Sequence, residues 1–142
     1  MEMASPIVPW SEIDTVLVDM DGTLLDLAFD NFFWMDLIPS HYAKLHQLTK
    51  EEVRDRLLER YRAKEGTLAW YCIDHWTEAL GLDIRALKRA NRHRIKYLPK
   101  AVEFLASVRA RGKRLLLVTN AHRDTLAIKV GQTDLDKRVD GL

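Results

Sequence analysis

The sequence predicts an α/β fold, the opening part of a parallel sheet with a block of helices inserted after its first strand. Three observations point to it. Two short aliphatic runs, Thr15-Val16-Leu17-Val18 and Leu115-Leu116-Leu117-Val118, have the composition of strands covered on both faces. Residues 26–96, between them, carry helical periodicity and no strand signal. Each run also ends in a polar cluster, Asp19-Met20-Asp21-Gly22-Thr23 after the first and Thr119-Asn120 after the second. The C-terminal ends of parallel strands are where ligands of open α/β sheets bind.

Met1 to Pro9 holds two prolines and little periodicity, and reads as an arm. Residues 10–14 lead into the first strand, with Trp10 placed to cover a sheet edge. Asp19 and Asp21 stand two apart, so on an extended chain both carboxylates face the same side. Gly22 permits a sharp exit, and the Thr23 hydroxyl can bond back to nearby groups. Two carboxylates at one strand end are costly unless a cation or a shared proton holds them.

Residues 24–36 are apolar with Asp26, Asp30, Asn31 and Asp36 interspersed, and Phe29, Phe32, Phe33 and Trp34 are spaced to pack on two surfaces. Pro39-Ser40 is expected to break this segment before a short helix over 41–47. Thr49 to Glu52 is a capping box. Val53, Leu57, Leu58 and Tyr61 then give the apolar stripe of a helix running to about Lys64 and stopping at Gly66. Thr67 is expected to start the next helix, with Trp70, Ile73, Trp76 (or Thr77) and Leu80 on one side and Gly81 at its end. Asp83 caps a third, from Ile84 to about Arg94.

Pro99 suits the first turn of a helix whose Val102, Leu105 and Val108 face a core, and Gly112 ends it. After the second strand, residues 123–130 read as a helix stopped by Gly131. Residues 139–142 read as the approach to a third strand.

Composition bounds the function. The 142 residues are 47% hydrophobic and 30% charged, ordinary globular material of one-domain length. Lys and Arg number 22 against 21 Asp and Glu, so no charge excess points to nucleic acid or an anionic membrane. Basic clusters such as Lys88-Arg89 and Arg92-His93-Arg94 alternate with apolar residues and read as a solvated helix face. The lone Cys72 allows no internal disulfide and, between Tyr71 and Ile73, reads as packing. No apolar run reaches membrane-spanning length, and the first residues lack a basic-then-apolar signal pattern, so a cytoplasmic location is expected.

The stretch Val18-Asp19-Met20-Asp21-Gly22-Thr23 resembles the first motif, D-x-D-G-T, of the haloacid dehalogenase superfamily of phosphohydrolases. The resemblance implies that Asp19 is the nucleophile, forming an aspartyl-phosphate, and Asp21 the general acid/base. Gly22 and Thr23 then lie against the phosphate. A carboxylate is competent at phosphorus once Mg²⁺ screens the charge, and Asp19 with the Asp21 carbonyl would hold that ion. Thr119-Asn120 resembles the second motif, which implies phosphate binding; read alone, the pair is equally a helix cap. Residues 26–96 then resemble the superfamily's helical cap, with 1–25 and 97–142 as a partial core.

Three further stretches are similar to the bacterial GMP/IMP nucleotidases of that superfamily. These are residues 14–31, Leu68-Ala69-Trp70-Tyr71-Cys72-Ile73-Asp74-His75-Trp76, and Leu116 to His122. The likeness implies a Mg²⁺-dependent 5′-nucleotidase taking a small phosphomonoester, a purine nucleotide. Asp30, Asn31, Trp70, Tyr71, Asp74 and His75 are then candidates for the nucleobase or ribose, although Trp70 and Trp76 also suit a core between helices.

The superfamily's third motif, a Lys, and its acidic fourth motif are expected beyond residue 142. Lys129 and Lys137 fall in or after the helix following Thr119, away from the family position, and neither is assigned. The resemblance therefore implies a truncated chain, inactive by itself, with a bare apolar edge on its first strand that invites pairing with another copy. The alternative is a non-catalytic remnant or subunit that binds phosphate or self-associates.

Overall fold

The computed structural model describes residues 7–142. The arm expected for Met1 to Pro9 lies largely outside the described residues. A 3₁₀ turn at Trp10–Glu12 leads into β1 (Thr15–Val18), which pairs in parallel with β2 (Arg114–Leu117). The register sets Val16 beside Leu115 and Val18 beside Leu117. Beyond β2, Asp140 N–H donates to the Leu115 carbonyl at 2.7 Å and Leu117 N–H to that of Gly141 at 2.9 Å. The chain thus starts a third parallel strand on the edge of β2 away from β1, where a third strand was expected.

Among the described residues the sheet is covered on one face only, which corrects the reading of two fully buried strands. Val18, Leu115 and Leu117 are buried on the face that carries the core. Leu17, at 64% exposed, and Val118, at 56%, alternate to the other side. Among the described residues no strand pairs with the free edge of β1.

Residues 28–46 form one continuous helical segment. It comprises α1 (Ala28–Phe32), a π-helical stretch at Phe33–Leu37, and α2 (Ile38–His46). Pro39 does not break it. It sits in the first turn of α2, where a missing N–H is tolerated, and the widened turn upstream sends the Ile38 N–H to the Phe33 carbonyl. In that register the Trp34 carbonyl would be served by the nitrogen of Pro39, which has no proton. The Tyr61 hydroxyl donates to it instead, at 2.9 Å.

α3 (Lys50–Lys64) begins as expected, the Thr49 hydroxyl accepting from Glu52 N–H at 3.3 Å. The next helix starts later than expected: Leu68–Tyr71 is a 3₁₀ turn, Cys72 is extended, and α4 (Ile73–Leu80) follows. α5 (Ile84–Ala90) is capped by Asp83, whose carboxylate accepts from Ala86 N–H at 3.0 Å, and a 3₁₀ turn, Arg92–Arg94, closes it. The chain enters and leaves this helical block side by side. Asp26 N–H donates to the Lys96 carbonyl at 2.9 Å, and Leu98 N–H to that of Leu24 at 2.8 Å.

α6 (Ala101–Ala110) precedes β2, and α7 (Arg123–Thr133) and α8 (Leu135–Arg138) follow it. α7 runs through Gly131 rather than stopping there; Asp134, in a left-handed conformation, ends it. Phe29, Phe33, Ile38, Leu57, Ile73 and Trp76 join the sheet residues in one buried apolar cluster.

Urea unfolding distinguishes the two sheet faces. Leu115→Ala is expected to cost about 2–5 kcal/mol, whereas Leu17→Lys should shift stability by less than about 0.5 kcal/mol. Comparable losses in both would show that the Leu17 face is covered in solution.

Candidate active site

At the exit of β1 the chain alternates sharply. Met20 is fully buried, while Asp19 is exposed and Asp21 half-buried on the opposite side. Gly22, at φ +76°, turns the chain so that its N–H reaches the Leu25 carbonyl at 2.9 Å. A side chain there would be strained by that φ and would meet Leu27 at 3.2 Å. Thr23 is exposed on the same turn.

The Asp21 carboxylate is held by a cation that the sequence reading left unassigned. Lys129, on α7, is 1% exposed. Its Nζ donates to Asp21 Oδ1 at 2.6 Å and to both oxygens of Asp30 at 2.8 and 3.0 Å. One ammonium thus joins the strand end, α1 and α7. The signal for it was present: Thr125, one turn earlier, and Ile128 are buried on the same helix.

After β2, the Thr119 hydroxyl accepts from Ala121 N–H at 3.1 Å, which leaves its proton free to donate outward. Asn120 is exposed. The cap of α7 is His122, whose Nδ1 accepts from Asp124 N–H at 3.1 Å. That bond places the imidazole proton on Nε2, which lies 3.4 Å from Asp74 Oδ2. Arg85 pairs with Asp124 beside it. The donor atoms of Cys72, Asp74 and His122 lie within 4.8 Å of one another, but the proton on Nε2 and the engaged Nδ1 leave the imidazole no lone pair for a metal.

A cavity of about 380 Å³ opens at Asp21 and Asp30, the two acids that hold Lys129. Of the expected residues it brings together Asp21, Asp30, Asn31, Trp70 and Tyr71. Asp74 reaches it only through His122, which lines it. Asp19, Gly22, Thr23, Thr119, Asn120 and His75 are not in its wall. The His75 ring packs on Trp76 instead, with centroids 4.9 Å apart. Trp34, Tyr61, Trp70 and Trp76 form a mutually edge-on or tilted aromatic cluster with centroids 5.3–6.5 Å apart. Trp76 is therefore both core and wall. Burial pushes the Tyr61 hydroxyl well above the ordinary phenol range.

Lys88 corrects the reading of a solvated basic face. It lies one turn after Ile84 on the inner side of α5, is 4% exposed, and lines the cavity. Its Nζ stands 4.9 Å from the Phe33 ring and 5.3 Å from that of Trp34, and no carboxylate among the described residues pairs with it. Burial, reinforced by repulsion from Lys129 and opposed by Asp30 and Asp21, brings its pKa down to about 8.

The family model of haloacid dehalogenase-like hydrolases matches residues 16–141. The chain belongs to this family. Among curated proteins it is 43% identical over 133 residues to GMP/IMP nucleotidase YrfG of Escherichia coli (strain K12), covering 94% of this chain and 60% of that protein. The protein of the same name in Shigella flexneri matches equally. This haloacid dehalogenase-like chain thus spans about 60% of the length of the curated relatives it matches. A solved HAD phosphatase from Thermococcus onnurineus is similar in fold, with a TM-score of 0.79 at 21% identity over 91% of this chain and 60% of that one. A hydrolase from Pseudomonas syringae is a more distant likeness, at 0.51 and 20% over 90% of this chain and 58% of that one. No described helix is long and apolar enough to cross a membrane.

Lys88 makes a testable contribution to stability. Unfolded, its amine keeps the ordinary value of 10.5, so between about pH 8 and 10.5 the unfolded chain binds a proton that the folded one does not. Stability from this group should therefore rise with pH across that window, by roughly 3 kcal/mol. Lys88→Met should be more stable than the unmodified chain at pH 7, and the difference should shrink toward pH 10. Thermal unfolding at both pH values checks this; equal pH profiles would show Lys88 to be solvated.

Proposed function

We propose that these residues form the nucleophile, acid/base and part of the phosphate cradle of a Mg²⁺-dependent phosphomonoester hydrolase acting on the purine 5′-nucleotides GMP and IMP. The observation that carries this reading is the acid pair at the end of β1, one acid free and the other bonded to a buried ammonium, beneath an aromatic-walled cavity.

The donor set suits Mg²⁺. Asp19 has no hydrogen-bond partner among the described residues, and the Asp21 main-chain carbonyl accepts no bond among the described backbone pairs. Both are hard oxygen donors of the kind that ion takes. When bound, Mg²⁺ would screen the charge between carboxylate and phosphate.

In this reading an Asp19 oxygen attacks phosphorus and the bond from phosphorus to the nucleoside oxygen breaks. Asp21 takes up a proton from solvent before the first step and gives it to the departing oxygen. As a carboxylate held by Lys129 it then takes a proton from the water whose oxygen bonds to phosphorus as the bond to Asp19 breaks. The Thr119 hydroxyl donates to a phosphoryl oxygen, with Asn120, Gly22 and Thr23 around it. Trp70, Tyr71 and Asn31 face the nucleoside, whereas Asp74 and His75 act from the rim. Asp30 acts differently from Asn31, because it holds Lys129.

The test joins this chain to the remaining two fifths of the Escherichia coli relative, the part it does not match. Phosphate release from GMP and IMP is expected with Mg²⁺ and not with EDTA. Asp19→Asn should abolish it, and Asp21→Asn should lower it by about 10²–10⁴-fold. Turnover by Asp19→Asn within about tenfold of the parent would exclude nucleophilic catalysis by Asp19. Asn31→Ala should raise KM for GMP more than for an aryl phosphate, while Asp30→Ala should impair both. Equal effects of Asn31→Ala on the two substrates would make it structural.

A further inference from the structure

We infer that Lys88 is a specificity-determining residue which donates to O6 and N7 of a 6-oxopurine and disfavours a 6-aminopurine. The inference rests on the phosphohydrolase reading of the same cavity and adds the group that tells one nucleobase from another.

Two buried ammonium groups lie along one helical wall. Lys129 stands over Phe29, 5.7 Å from its centroid, and Lys88 over Phe33 and Trp34, one turn further on. A helical turn advances about 5.4 Å. Lys129 is committed to Asp21 and Asp30 at the reacting end. Lys88 is displaced from it toward the aromatic end, and nothing among the described residues accepts its protons.

The other polar handles at that end are already used. The Tyr61 hydroxyl donates to the Trp34 carbonyl at 2.9 Å, and Trp76 Nε1 donates to that of Trp70 at 3.0 Å. The walls there offer ring faces and edges, and Lys88 offers the buried donors. A group that fills this space must be flat, apolar on its faces and rich in acceptors along one edge. A 6-oxopurine meets that description, with O6 and N7 side by side as acceptors. A 6-aminopurine keeps N7 but turns a donor toward the ammonium, which has no acceptor to offer. A free phosphate or a bare sugar phosphate would stay at the Asp19 and Thr119 end and gain little from Lys88.

Calorimetric titration of the 142-residue chain in Mg²⁺ with IMP, GMP, AMP and ribose 5-phosphate tests this. IMP and GMP are expected to bind roughly five- to hundredfold more tightly than AMP, the range for one good pair of acceptors on a purine edge. Lys88→Met and Lys88→Gln should both bring IMP to within about twofold of AMP, with a much smaller change for ribose 5-phosphate. A thermal melt of each variant checks folding, and Lys88→Met is expected to be the more stable protein. Retention of the oxo preference in both variants would overturn the inference. An equal loss for all four ligands would overturn it too, by assigning Lys88 to the phosphate. Absence of ribose 5-phosphate binding in the unmodified chain would instead fell the phosphohydrolase reading, and this one with it. Ribose 5-phosphate binding without any preference of IMP over AMP would refute this inference alone.

Discussion

The arrangement depends on burying the ammonium of Lys129. Taking such a charge out of water costs several kcal/mol, and only close opposite charges with good hydrogen bonds offset it. Asp21 and Asp30 supply both, with contacts of 2.6 to 3.0 Å. Because the three residues come from the exit of β1, from α1 and from α7, satisfying that one charge fixes how three elements meet. It also determines where the Thr119 loop lies, since α7 begins directly after it. Removing either acid would leave the buried ammonium under-compensated, and removing Lys129 would set two half-buried carboxylates against each other, so the triad is a constraint on the fold before it is an aid to chemistry.

The same site holds two cations in opposite circumstances. Lys129 is fully partnered, whereas Lys88 meets only ring faces and its surroundings bring its pKa down to about 8. Cation–aromatic attraction of about 2 kcal/mol when desolvated softens the burial of Lys88 without cancelling it. A residue that costs stability and points into a cavity is the kind of local conflict found at functional sites.

What the sequence makes legible is what is decided locally. The β1 run, the acid pair, Gly22, the caps at Thr49 and Asp83 and the stop at Gly81 depend on neighbours within a few residues, and each stands where it was expected. Lys88 was visible only as a member of a basic helical stretch and Lys129 only as an unassigned lysine of the helix after Thr119, because their burial is set by residues 54 to 108 positions away in the chain. Gly131 failed as a stop because the chain is held past it, where the Tyr97 hydroxyl donates to the Thr133 carbonyl and Leu135 is buried in the core. Leu17 and Val118 read as buried because aliphatic composition says nothing about which faces of a sheet find a partner.

The bond from Tyr61 to the Trp34 carbonyl ties two distant positions together. Residue 39 lacks an N–H because it is proline, and the carbonyl it leaves unserved takes a hydroxyl from residue 61. The two positions should therefore drift together as the sequence diverges. Where 39 regains an amide proton, the helix can serve its own carbonyl, and phenylalanine at 61 becomes acceptable. Where 39 stays proline, a hydroxyl at 61 is required, so the aromatic wall of the cavity inherits its chemistry from a turn that touches no ligand.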